Sequence, residues 1–253
     1  MISRARPILG TFVSIRAEAD ERAVAAAFSA IEQVHHLMNV HSSEGDLARI
    51  NRSAHRRAVR VHPWTRRVLA IARRVSEASA GAFDVTLGRH RASYSDIELL
   101  DGNRVRLRRA ARLDLGGIAK GFAVDQAVEA LHRHKARSGS VNAGGDLRVF
   151  GRNLQDLRVR VPRAPQLTIP LPPAREGAFA TSSGYFGSTL ADPVSGREAG
   201  IEGSITIGAP SCAVADALTK AVAAAGPKPE LLRQFDAVAF LVDTNGTLYA
   251  ARA

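Results

Sequence analysis

A chain of 253 residues, 45% hydrophobic and 23% charged, has the make-up of a soluble globular protein able to bury a substantial core. Aromatic residues make up only 5%, with one Trp and three Tyr, so Ala, Val, Leu and Ile must fill that core and platforms for stacking nucleic-acid bases are excluded. The formal charge of +11 comes mostly from Arg, and its pairs (Arg56-Arg57, Arg66-Arg67, Arg73-Arg74, Arg108-Arg109) sit inside apolar periodic segments; they read as solvated faces, and no nucleic-acid partner is expected.

In chain order, the alternation over residues 9–17 predicts a strand, and the helical spacing of apolar residues over 23–38 predicts a helix of about four turns. Residues 41–46 read as a turn and 46–51 as a short helical turn. A second amphipathic helix is expected over 64–80, with Gly81 as the residue that stops it. A strand at 104–109 is followed by the loop Asp114-Leu115-Gly116-Gly117 and a third helix over 118–134. Strand pattern at 140–142 resumes at 147–150, which makes Gly144-Gly145-Asp146 a tight turn or bulge. Further strands are expected at 157–161, 177–181 and 204–207. The proline-rich piece 162–173 reads as a surface excursion or irregular edge. An alanine-rich helix over 213–225 closes at Gly226-Pro227, and 238–242 with 248–250 forms a terminal hairpin. The elements interleave without regular βα alternation, so the fold class is α+β, and with neither repeat nor linker the expectation is a single domain over 1–253.

Cys212 is the only cysteine, which leaves no disulfide framework and no cysteine-based zinc site. The N-terminal residues lack the apolar core of a signal peptide and no stretch reaches the ~18 apolar residues of a membrane span. A cytoplasmic address and no membrane insertion are therefore expected.

Four glycine-rich polar junctions place a carboxylate or hydroxyl beside backbone that a ligand can approach. Gly81 to Thr86 carries Asp84, where a helix stop with an Asp turn is the alternative reading. Asp114 to Gly121 offers exposed amides at a helix start together with Lys120, a combination suited to a phosphate, although the glycine spacing is not that of a Walker loop. Asn142-Ala143-Gly144-Gly145-Asp146 is by itself a hairpin turn. Asp216 and Thr219 stand about one turn apart on one helix face and could hold a hard cation through oxygen, or simply cap the helix.

In order, these junctions resemble the ApbE family, the FAD:protein FMN transferases. The likeness also takes in Leu9-Gly10-Thr11, residues 42–51, residues 180–184 and Asp192-Pro193-Val194-Ser195-Gly196. The resemblance implies a T-fold-like domain of mixed or antiparallel sheets packed with helices. It implies binding of FAD as substrate and the use of Mg2+ to move FMN onto a Thr or Ser of a target protein, with release of AMP. Matching positions give Leu9, His41, Ala82, Phe83, Asp84, Asp114, Lys120 and Ala191 as flavin-nucleotide contacts, with Asn142, Gly144, Gly145 and Asp146 lining the same cleft. The implied metal ligands are Asp216, Thr219 and the carbonyl of Gly117. A divalent cation and Lys120 would both neutralise the pyrophosphate during attack by a hydroxyl.

The chain departs from the family pattern at three places. Thr189 stands where many members have a His proposed as general base, and a neutral Thr cannot take a proton near pH 7, so His41 or Asp192 is the alternative acceptor. His41 also replaces a frequent Tyr. Lys220 stands where the late helix usually has Thr, and a protonated lysine cannot ligate a metal. These changes keep two alternatives open: an FAD pyrophosphatase that yields FMN and AMP, and an FAD-binding protein with reduced turnover.

Overall fold

The computed structural model describes residues 1–88, 91–183 and 203–252, together with the backbone strands 189–191 and 198–200. Its centre is an eight-stranded antiparallel sheet. In chain order the strands are β1 (Ile2–Ile8), β2 (Thr11–Ala17), β3 (Val59–Arg60), β4 (Ile97–Leu100), β5 (Arg104–Leu107), β6 (Gly139–Ala143), β7 (Asp146–Phe150), β8 (Gln155–Val161), β9 (Ala164–Ala174), β10 (Gly177–Ser183), β11 (Thr189–Ala191), β12 (Glu198–Gly200), β13 (Ser204–Ala209), β14 (Val238–Val242) and β15 (Leu248–Ala251). The large sheet runs β1-β2-β6-β7-β10-β13-β14-β15, while β3-β5-β4, β8-β9 and β11-β12 form small separate sheets. The helices are α1 (Glu21–Met38), α2 (Gly45–Ser53), α3 (Pro63–Ala78), α4 (Ala119–Arg133), α5 (Cys212–Ala225) and α6 (Pro229–Gln234). No helix among the described residues is long and apolar enough to cross a membrane. The α+β class and the antiparallel sheets agree with expectation.

The layering follows from which side chains are apolar. α4 buries Phe122, Val124, Val128 and Leu131 and packs between α1, α5 and the sheet. α5 is so rich in alanine that it lies close against β10 and β13, and β13 is buried along its whole length. The opposite side of the sheet carries a second, smaller core in which Val149, Phe240 and Val242 meet Leu157, Val159 and Leu171 of the β8-β9 ribbon.

Several expected boundaries shift for identifiable reasons. β1 is a strand although no strand is expected before residue 9, because it pairs residue for residue with β2 from Ile2↔Ala17 to Ile8↔Thr11 while most of its side chains stay exposed. The proline-rich piece is β9: it pairs with β8 alone, through a ladder broken by bulges, and so tolerates residues without an amide proton. α3 ends at Ala78, two residues earlier than expected. Ala80 (φ 53°), not Gly81, holds the first left-handed position, and Gly81 donates back to the Ser76 carbonyl at 2.8 Å. The turn at Gly144-Gly145 is a two-residue hairpin without a bulge, since Ala143 pairs with Asp146 and both glycines have positive φ.

Candidate active site

The centre of the site is the place where the start of α4 crosses α5. Gly121 has no side chain, and a Cβ there would collide with the Cys212 carbonyl, so the two helices touch backbone to backbone. Each helix lends a carboxylate to the other. Asp216 of α5 accepts from the Gly121 amide at 3.2 Å, and Asp125 of α4 accepts from the amides of Cys212 and Ala213 at 2.9 Å each. Arg148 of β7 pairs with Asp125 at 2.8 Å. Carboxylates at helix N-termini meet unpaired amides and the positive end of the helix dipole. Burial nevertheless raises the Asp125 pKa, against the lowering effect of Ala213 and Arg148.

Beside this crossing lie two ion pairs whose carboxylates are buried. Lys120 meets Asp146 at 2.5 Å, and Lys220 meets Asp216 at 2.5 Å and the Ser182 hydroxyl at 3.0 Å. Asp216 is wholly buried and Asp146 nearly so. Burial and the negative charge of Asp216 push Asp146 up to about 6, although Lys120 and Lys220 pull the other way. For Asp216, burial is outweighed by Lys120 and Lys220, and its pKa falls below the ordinary value. Burial alone would lower Lys120, yet Asp216 and Asp146 hold it above the usual lysine range. Lys120 is thus a cation at neutral pH.

Lys120 also reaches a cleft of about 350 Å3 lined by Leu9, His41, Asp114, Gly116 and Ala119. This cleft joins three separate pieces of chain: the β1-β2 hairpin, the segment after α1 and the entry to α4. Leu9 sits in the hairpin loop at φ 60°, a left-handed conformation that costs a non-glycine residue roughly 1–2 kcal/mol. His41 is exposed at the rim, and its amide is held by the Asn39 side chain at 2.9 Å. Asp114 fastens the turn into α4 through the Gly116 amide at 2.8 Å.

The other expected residues divide clearly. Asn142 accepts from the Gly145 amide at 3.0 Å and so shapes the hairpin that presents Asp146 to Lys120. Gly144 fits closely against Thr11, where an added Cβ would lie 2.6 Å from the hydroxyl. Ala82 and Phe83 are buried, and the Phe83 ring edge lies beside Gly117. Asp84 is buried too, but both its oxygens are engaged by backbone, the Thr86 and Tyr94 amides at 2.8 Å each, so it builds its own loop. Asp192 lies outside the described residues. Ala191 belongs to β11, and Thr189 pairs with Gly200 in the same ribbon.

The expected cation ligands do not form an open set. One Asp216 oxygen faces Lys220 and the other the Gly121 amide, while the Thr219 hydroxyl is taken up by the Asp216 carbonyl and Ser182, both at 2.7 Å. The Lys220 stem runs past Gly117, whose added Cβ would meet Cγ and Cε at 3.5 Å. Among the described residues, no group of three or more His, Cys, Asp or Glu is placed to hold a metal. As arranged, these residues do not fit a divalent cation.

Gly121, Asp125, Arg148 and Ser182 were not singled out from sequence. Asp125 did leave a signal, as an acid inside the otherwise apolar run Phe122-Ala123-Val124-Asp125-Gln126-Ala127-Val128, one helical turn after Gly121.

An α+β fold with a cleft between the β1-β2 hairpin, the end of α1 and the entry to α4, reached by Lys120, defines the class. The family model for the ApbE family matches residues 9–242, and the chain belongs to that family. It is 27% identical to the FAD:protein FMN transferase of Treponema pallidum (strain Nichols), over 93% of this chain and 82% of that protein. It is 26% identical to the enzyme of the same name from Haemophilus influenzae, over 49% of this chain and 45% of that one. Among solved structures, the ApbE protein of Thermotoga maritima superposes with TM-score 0.83 at 25% identity, covering 99% of this chain and 96% of the other. The flavin transferase ApbE of Vibrio cholerae superposes at 0.84 with 20% identity, over 99% and 96%.

Proposed function

We propose that this ApbE-family transferase moves the FMN part of FAD onto a Thr or Ser hydroxyl of a partner protein, releasing AMP, and that one domain spanning the chain does so. The observation that carries the reading is the meeting of Leu9, His41, Asp114 and Lys120 around one cleft, with Asp146 and Asp216 behind the lysine. In the reaction the acceptor oxygen bonds to the FMN phosphorus, the bridging P–O bond to AMP breaks, and the hydroxyl proton leaves. Anionic phosphorus resists an electron-rich nucleophile, so a fixed positive charge against the diphosphate lowers the barrier by positioning and by neutralising charge. Lys120 supplies such a charge at the cleft, and the hairpin at Asn142 to Asp146 holds it in place.

Leu9, Ala82, Phe83 and Asp114 are assigned to the flavin nucleotide side, and His41 at the rim to the acceptor proton. The family's magnesium is not assigned a step, because Asp216 is engaged by Lys220 and the Gly121 amide, and Thr219 by Ser182 and the Asp216 carbonyl. The test is incubation with FAD and a threonine-bearing candidate acceptor protein, followed by mass spectrometry of the acceptor. A gain of one FMN phosphoester with AMP in equal amount supports the reading. Free FMN with an unmodified acceptor would make the chain a pyrophosphatase, and intact FAD would make it a binding protein.

A further inference from the structure

Resting on the reading just given, we propose that Lys220 is the built-in cation of this site: its ammonium takes the place of a divalent ion against Asp216 and contacts the FAD diphosphate, so that this chain binds FAD without metal.

Three observations meet at that side chain. Lys220 Nζ lies 2.5 Å from Asp216 Oδ1 and 3.0 Å from Ser182 Oγ. A magnesium ion bonds oxygen at about 2.0–2.1 Å, so one placed on the same carboxylate oxygen would overlap the ammonium and repel it. The lysine stem then passes Gly117, the residue whose carbonyl is the third expected ligand. Finally, Thr219 turns its hydroxyl into the helix and onto Ser182, which leaves it no part in coordination.

The pairing is well supported by local geometry. Asp216 precedes Lys220 by four residues on one helix, the favourable order for an acid and a base. A lysine drawn away by an incoming ion would leave an ammonium in a largely buried position without its carboxylate, a costly arrangement. An ammonium has three donors. Two find acceptors in Asp216 and Ser182 among the described residues, and the third is available to a phosphate oxygen. With Lys120, held by Asp146 at 2.5 Å, a second ammonium would meet the diphosphate.

The test uses Mn2+ as the probe. The EPR signal of free Mn2+ is followed as the intact wild-type protein is added, with and without FAD, and FAD affinity is measured by flavin fluorescence in Mg2+ and in EDTA. The expected results are no loss of Mn2+ signal and FAD affinities that agree within a factor of two. The Lys220→Thr protein should bind Mn2+ and acquire an FAD affinity at least tenfold higher in Mg2+ than in EDTA. Stoichiometric Mn2+ binding by the wild type, or a tenfold magnesium effect on its FAD affinity, would overturn the proposal, as would a folded Lys220→Thr protein that takes up no Mn2+. Should that variant fail to fold, Lys220→Gln is read in the same way, and the wild-type Mn2+ titration decides by itself. A wild type that binds FAD in neither buffer refutes the functional reading, while the Mn2+ signal still decides whether the lysine excludes an ion.

Discussion

Replacing Gly121 by alanine tests the helix crossing on which the site is built. The added methyl would lie 2.6 Å from the Cys212 carbonyl carbon and 2.9 Å from the Ala213 nitrogen, and closer still to the carbonyl oxygen. All three are backbone atoms and cannot swing away, so α4 and α5 must part. Overpacking of this kind costs about 1–3 kcal/mol. Parting the helices also stretches the bonds from Gly121 to Asp216 and from Cys212 and Ala213 to Asp125. Hydrogen bonds to charged groups contribute about 1.5–3 kcal/mol each, so partial loss adds one or two more. Against this stands the better helix propensity of alanine, about 1 kcal/mol. The net is a destabilisation of about 1–4 kcal/mol, or a fall in Tm of roughly 2–16 °C for a chain of this size. Thermal and urea unfolding of Gly121→Ala measure it directly. A variant as stable as the wild type, or more so, would show that propensity outweighs the contact and that the helices do not touch here as described.

Two further outcomes follow from the cleft. Asp146, pushed up to about 6, is favoured in its neutral form by the fold, so its contribution to stability is complete below about pH 4 and is lost as pH rises through about 6. Protonation also frees the charge of Lys120 for a phosphate, so FAD affinity measured by fluorescence should rise severalfold between neutral pH and pH ~5; the Asp146→Asn protein should lack this dependence, and an equally steep profile in it would refute the assignment. Leu9→Gly relieves a left-handed residue by about 1–2 kcal/mol but adds chain entropy of about 0.5–1 kcal/mol to the unfolded state, so stability should change by no more than about 1.5 kcal/mol. FAD affinity should nevertheless drop severalfold, because Leu9 lines the cleft; an unchanged affinity would remove Leu9 from the binding surface.

What the sequence by itself determined was the set of elements whose cause is local. α1, α3, α4 and α5 follow from apolar residues at helical spacing, and the hairpins at Gly144-Gly145 and near Asn245 from residues that accept positive φ. Lys120 and Asp146 were legible as candidate site residues for the same reason, since each stands beside glycine-rich backbone. Strands β1 and β9 were not legible, because one is nearly all exposed and the other carries prolines; each is a strand only because a partner lies alongside it. The meaning of Lys220 was also beyond the sequence. Its spacing from Asp216 allowed an ion pair, but Ser182 stands 38 residues away and Gly117 on another helix entry, and only tertiary packing brings them to the same ammonium. Charge pairing acts over a few ångströms of space whatever the distance along the chain, and Ser182 and Gly117 reach the Asp216–Lys220 pair only through the tertiary fold.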